Sequence, residues 1–160
     1  MKKNEDSMTI LVIDDEDVLR QSFCDQLEDL GYRVVGAENG LVGIELLKTE
    51  HPDLILTDLR MPEMGGLEVI KYGKEINPDI PIIVVSGAGK ISDAVEALKI
   101  GAEDYLIKPV KDLGVLKHAV EKVFEKVRLV QENRGYQEHL EELVHERTRE
   151  LEETESRRVS

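Results

Sequence analysis

Cysteine occurs once, at Cys24, so the chain can form no internal disulfide and cannot assemble a cysteine zinc site. That usage suits a reducing compartment, and Cys24, beside Phe23 and Leu27 on a predicted helix, reads as a small packing residue. Basic residues are scarce: 21 Lys and Arg face 34 Asp and Glu, for a net charge of −13. Phosphate neutralisation needs clustered Lys and Arg, so direct binding to nucleic acid or to an anionic membrane is not expected. No apolar run approaches the roughly 18 residues of a membrane span. The opening Met1-Lys-Lys leads into Asn4-Glu5-Asp6 rather than the apolar core of a signal peptide. The expectation is a soluble, cytoplasmic protein. The four histidines, His51, His118, His139 and His145, show no ligand spacing and read as structural or solvated.

What is present is a regular alternation of short β-branched runs with longer amphipathic stretches. Strands are predicted at Thr9–Ile13, Arg33–Gly36, Leu54–Thr57, Pro81–Val85 and Tyr105–Ile107. Helices are predicted over about Asp17–Leu30, closed by Gly31, then Leu41–Thr49, Leu67–Glu75 and Ile91–Ile100. On the second of these, Ile44, Leu47 and Leu41 are candidates for the inward face. Nearly all-apolar strands linked by helices imply a parallel sheet covered on both faces, a doubly wound α/β fold. In such sheets ligands bind at the carboxyl ends of the strands, where the strand order reverses.

Those ends carry Asp14-Asp15-Glu16 after the first strand, Asp58 after the third, Ser86 after the fourth and Lys108-Pro109 after the fifth. With strand order 2-1-3-4-5 the first and third strands are neighbours, which brings Asp14, Asp15 and Asp58 into one pocket. Carboxylates that close either take up protons or recruit a cation. Mg²⁺ is the natural choice, because it binds through one or two carboxylates and keeps positions for water and phosphate oxygens. A carboxylate in such a site can act as a nucleophile toward phosphorus, with Lys108 neutralising charge and Ser86 donating a hydroxyl hydrogen bond.

The set Asp14-Asp15, Asp58-Leu-Arg-Met-Pro with Gly65-Gly66 behind it, Ser86-Gly87-Ala88, and Lys108-Pro109 after Tyr105 resembles the receiver domain of two-component response regulators. The resemblance covers about Met8 to Glu125. It implies a flavodoxin-like five-stranded parallel sheet. It also implies that Asp58 is the phosphoacceptor, and that Asp15, Asp58 and the backbone carbonyl of Arg60 ligate Mg²⁺, with Asp14 acting through water. Ser86 and Tyr105 would be the switch pair, Lys108 the phosphate contact, and the peptide bond before Pro109 cis. Such a domain takes its phosphoryl group from a histidine kinase or phosphotransfer protein, and catalyses only its own phosphorylation and dephosphorylation.

Two departures concern phosphoryl lifetime: Ala88 offers no group to orient an attacking water, and Arg60 is long enough to shield the phosphoryl group or pair with it. Both favour a long-lived adduct. Ser86-Gly-Ala-Gly-Lys90 is not a nucleotide-binding loop, since Val84 and Ile91 stand where that pattern needs Gly and Ser or Thr. Haloacid-dehalogenase-like phosphatases carry a second Asp two residues after the nucleophile, where this chain has Arg60.

Beyond Asp112 the texture becomes one long helical pattern. Leu116, Val120, Val123, Val127 and Val130 recur at alternating fours and threes, a heptad seam. The seam falters at Arg134 and Gly135 and resumes through Tyr136, Leu140, Leu143 or Val144, and Leu151. The expected organisation is a flexible segment over 1–8, a receiver domain over 9–125 and a coiled-coil extension over 126–160. With no partner for the seam expected inside a closed receiver, a homodimer follows. The stretch Leu143-Val-His-Glu-Arg-Thr-Arg-Glu-Leu151 resembles helices that connect sensor or receiver modules to outputs. The sequence holds no helix-turn-helix, cyclase or kinase motif of its own. The competing reading is a scaffold that dimerises through the coiled coil regardless of phosphorylation.

Overall fold

The computed structural model describes residues 8–87, 91–110 and 112–159. Its element order is β1 (Thr9–Ile13), α1 (Asp17–Asp29), β2 (Arg33–Ala37), α2 (Gly40–Glu50), β3 (Leu54–Asp58), α3 (Gly66–Ile76), β4 (Ile82–Gly87), α4 (Ile91–Lys99), β5 (Asp104–Lys108) and α5 (Leu113–Val159). All strand pairs are parallel and the sheet order is β2-β1-β3-β4-β5. This is the doubly wound arrangement expected from the alternation. The central strands β1 and β3 are buried along their whole length, as a sheet covered on both faces demands. Leu11, Ile55, Ile82 and Val84 from the sheet join Leu47, Val69, Ile70 and Ala97 from the helices in one apolar cluster.

Local signals account for the element ends. Asn39 caps α2, its side chain accepting from the Val42 amide at 2.9 Å. Gly31 follows α1 with φ of +99°, a left-handed conformation that side-chain-bearing residues resist. The predicted strands fall short at their polar ends: Asp58, Ser86 and Lys108 lie inside the ends of their strands rather than just beyond them, and β4 runs one residue past Ser86 to Gly87. The ladder pairs Asp58 with Val85 and Gly87 with Lys108, because backbone hydrogen bonding continues irrespective of side-chain polarity. Leu41 is 51% exposed and not inward; Val42, Ile44, Leu46 and Leu47 pack instead.

The chain divides into two compact units, one ending at Val123 and the other beginning at Phe124. This corrects the reading of the seam. Leu116, Ala119, Val120 and Val123 are at most 3% exposed, buried within the first unit, so the first half of the seam already has its partner there. A stripe spaced by fours and threes serves equally to pack a helix on a domain or on a second helix, and spacing alone does not separate the two. In the second unit Leu129, Val130, Tyr136, Leu140, Leu143, Val144 and Leu151 are all exposed. The helix runs through Gly135 without interruption.

Candidate functional site

The carboxyl ends of β1, β3 and β5 bring together the polar residues singled out from sequence. Carboxylate oxygens of Asp14, Asp15 and Asp58 lie within 4.8 Å of one another; Asp14 and Asp58 are buried and Asp15 is exposed. The Lys108 ammonium reaches into this group, 3.0 Å from Oδ2 of Asp58 and 3.4 Å from Oδ2 of Asp14. The side chains are 7% exposed at Asp58, 2% at Asp14 and 17% at Lys108, so the charges face each other with little water between them. One ammonium does not balance three carboxylates. The surplus negative charge and the all-oxygen donor set fit a small hard cation.

Several backbone contacts fix these groups. Oδ1 of Asp14 accepts from the Glu16 amide at 2.9 Å, and Nη1 of Arg20 donates to the Asp14 carbonyl at 2.9 Å, bracing the turn that leaves β1. Oδ1 of Asp58 accepts a long 3.4 Å contact from the Arg60 amide. The Lys108–Pro109 peptide bond is cis. Behind Asp58, α3 begins at Gly66, whose amide donates to the Leu59 carbonyl at 2.9 Å. Ser86 is buried at the end of β4. It pairs in register with Ile107, and Tyr105 with Val84, which puts Ser86 and Tyr105 on one face of the β4–β5 pair. Tyr105 is half-buried against the core.

Burial raises the Asp14 carboxyl pKa above the usual carboxylate value, with the Asp58 charge adding to it and the Glu16 amide and Lys108 opposing it. For Lys108, burial acts to lower the pKa. The hydrogen bond and charge of Asp58, then those of Asp14, outweigh burial and hold the ammonium above its ordinary value.

A raised carboxyl pKa contributes stability that is present at low pH and lost as pH rises through the folded-state value. Without a cation, charging the buried Asp14 carboxyl therefore comes at a cost to the fold. Asp14→Asn keeps an acceptor for the Glu16 amide and removes the charge. Its melting temperature in chelator is expected to exceed wild type by about 2–5 °C. A divalent cation should then stabilise wild type more than the variant. Thermal denaturation with and without the cation checks this, and a variant less stable than wild type in chelator would contradict it.

In the unphosphorylated chain the Arg60 guanidinium is turned to Asp93. Its Nε and Nη2 both donate to Oδ2 of Asp93, at 3.0 and 2.7 Å. Asp93, in the first turn of α4, was not singled out from sequence, and neither was Arg20. A lone acid at a helix start carries no other signal than its favourable place on the helix dipole. Ala88 and the loop glycine and lysine that follow it lie outside the described residues.

The response regulator receiver domain family matches residues 10–121 of this chain. The transcriptional regulatory protein ZraR of Klebsiella oxytoca is 44% identical over 109 residues, 66% of this chain but only 24% of that protein. The chemotaxis protein CheY of Thermotoga maritima is 37% identical over 109 residues, 68% of this chain and 91% of its own length. Among solved structures, a response regulator receiver domain protein from Clostridium thermocellum superposes with a TM-score of 0.73 at 31% identity, covering 77% of this chain and 98% of that one. NtrX from Brucella abortus gives a TM-score of 0.76 at 29% identity, covering 79% of this chain and 28% of NtrX. This chain belongs to the response regulator receiver domain family. It spans about a quarter of the length of ZraR. No helix among the described residues is long and apolar enough to cross a membrane.

Proposed function

We propose that this chain is a signalling switch that accepts a phosphoryl group on Asp58 from a phosphohistidine of a histidine kinase or phosphotransfer protein. The observation that carries the proposal is the Lys108 ammonium 3.0 Å from Oδ2 of Asp58, inside a cluster of three carboxylates. An oxygen of Asp58 forms the new bond to phosphorus as the donor's phosphorus–nitrogen bond breaks. The departing imidazole nitrogen keeps the bonding pair and takes a proton. Lys108 neutralises charge on the transferring oxygens, and the Ser86 hydroxyl donates a hydrogen bond to the phosphoryl group once it sits on Asp58. Asp14, Asp15, Asp58 and the carbonyl of Arg60 would hold Mg²⁺. Bound there, Mg²⁺ supplies charge neutralisation for phosphoryl transfer.

The new dianion draws Ser86 and its loop toward it and lets Tyr105 turn inward, so that charge at Asp58 becomes a change in surface. The domain is residues 9–125, with 126–160 as a helical extension that carries the state onward. The exposed apolar positions of α5 from Leu129 to Leu151 support its pairing with a second copy as a coiled coil. Those same positions favour the scaffold reading if pairing proves indifferent to phosphorylation.

The experiment is intact mass after incubation with phosphoramidate, with and without Mg²⁺, on wild type and Asp58→Asn, with light scattering on the same samples. One phosphoryl adduct that needs both Mg²⁺ and Asp58 is expected, with a change in oligomer mass. No adduct under conditions that label a control receiver overturns the proposal; an adduct without any change in oligomer mass leaves the scaffold account of the helix.

A further inference from the structure

Arg60 is held away from the carboxylate cluster that its own backbone borders. Its amide lies 3.4 Å from Oδ1 of Asp58, two residues back, while its guanidinium makes two contacts to one oxygen of Asp93. The two partners are 33 residues apart, so this pair ties the segment after Asp58 to the first turn of α4. Arg60 is 62% exposed at its side chain and Asp93 32%, which leaves the arm free to turn.

We infer that Asp93 is a positioning residue that competes with the phosphoryl group on Asp58 for the Arg60 guanidinium. This rests on the receiver reading of the site. A phosphoryl group presents close to two negative charges and three acceptor oxygens, against the single charge of Asp93. Guanidinium pairs with such a group through two parallel hydrogen bonds, a better match than two donors crowded on one carboxylate oxygen. When Asp58 carries the group, Arg60 leaves Asp93, and the first turn of α4 loses its tie to the β3–α3 segment. The coupling is reciprocal by thermodynamic necessity: Asp93 weakens the hold of the site on a phosphoryl group by the factor by which that group weakens the pair. The pair is exposed, so the factor is modest, about two- to five-fold.

The test is a fluorine NMR titration of beryllium fluoride, a phosphoryl mimic, in saturating Mg²⁺, on wild type, Asp93→Asn, Asp93→Glu, Arg60→Ala and the double variant Asp93→Asn with Arg60→Ala. Asp93→Asn is expected to bind the mimic about two- to five-fold more tightly than wild type, Asp93→Glu like wild type, and the double variant like Arg60→Ala. Hydrogen exchange over residues 91–95 should quicken on binding in wild type and not in Arg60→Ala. Equal affinity in Asp93→Asn and wild type overturns the inference. An Asp93→Asn effect that persists without Arg60 also overturns it, because the aspartate then acts through α4 alone. Equal quickening in wild type and Arg60→Ala does the same. Failure of the receiver reading looks different: none of these proteins binds the mimic, or Asp58→Asn binds it as well as they do.

Discussion

Replacing Lys108 by methionine is expected to slow labelling by a small phosphodonor about 10²-fold, the usual effect of removing one preorganised charge donor from a transferring group. Methionine keeps much of the length and apolar stem of lysine and loses the ammonium. What is lost is an ammonium within 3.4 Å of both buried carboxylates. The pKa direction matters to how the experiment is read. The folded-state pKa of Lys108 is raised, so the stability this pairing gives is complete below the unfolded value near 10.4 and is lost only as pH climbs through the folded value. Lys108 is thus charged throughout the neutral range, and wild-type labelling should show no inflection from it between about pH 6 and 9. Removing the ammonium also leaves Asp14 and Asp58 repelling each other, so the variant should gain more thermal stability from Mg²⁺ than wild type does. Stopped-flow or timed mass measurements of labelling check the rate. A change below about three-fold would mean that Lys108 serves the fold rather than the transfer.

Gly66→Ala carries the second large effect, and it acts through the backbone. A Cβ at Gly66 would lie 2.6 Å from the carbonyl oxygen of Asp58 and 2.8 Å from Cα of Leu59. Neither atom belongs to a flexible side chain, so α3 or the end of β3 must shift. Overpacking of this kind costs about 1–3 kcal/mol, or roughly 5–15 °C in melting temperature for a domain of this size. A shift near 1 Å at Asp58, the proposed phosphoacceptor, is also expected to cost phosphoryl transfer about 10²-fold. Gly135→Ala is the matched comparison: nothing lies within 4 Å of a Cβ there, and the residue sits inside α5. That change should leave labelling alone and raise helicity slightly. Thermal denaturation of the two variants, with labelling of the folded protein, separates them; a Gly66→Ala protein with wild-type stability and labelling would contradict the account.

Much of this was legible in the residues themselves. Runs such as Thr9–Ile13 and Leu54–Leu56 carry no alternation, which is the mark of strands covered on both faces, and helices between them leave few topologies open. Once the fold is doubly wound, strand ends become addresses, and Asp14, Asp15, Asp58 and Lys108 meet there. What stayed hidden has a common cause. Leu41 and Leu47 differ in burial although both suit the helical period, because which face turns inward depends on how α2 lies on the sheet. The seam from Leu116 to Val123 has the spacing of a coiled coil and is nonetheless buried in the first unit. The Arg60–Asp93 pair joins residues 33 apart with no pattern linking them. Periodicity reports that a face is apolar, while the identity of its partner is a tertiary fact.

The most direct test of the central claim is to locate the adduct. Labelling with phosphoramidate and Mg²⁺, followed by borohydride, reduces an aspartyl phosphate to homoserine, and peptide mass mapping then reads the position. Homoserine at position 58, absent when Mg²⁺ is withheld, is the predicted result. Homoserine at Asp14 or Asp15 with Asp58 intact, or unreduced aspartate at all three positions in labelled protein, would contradict it.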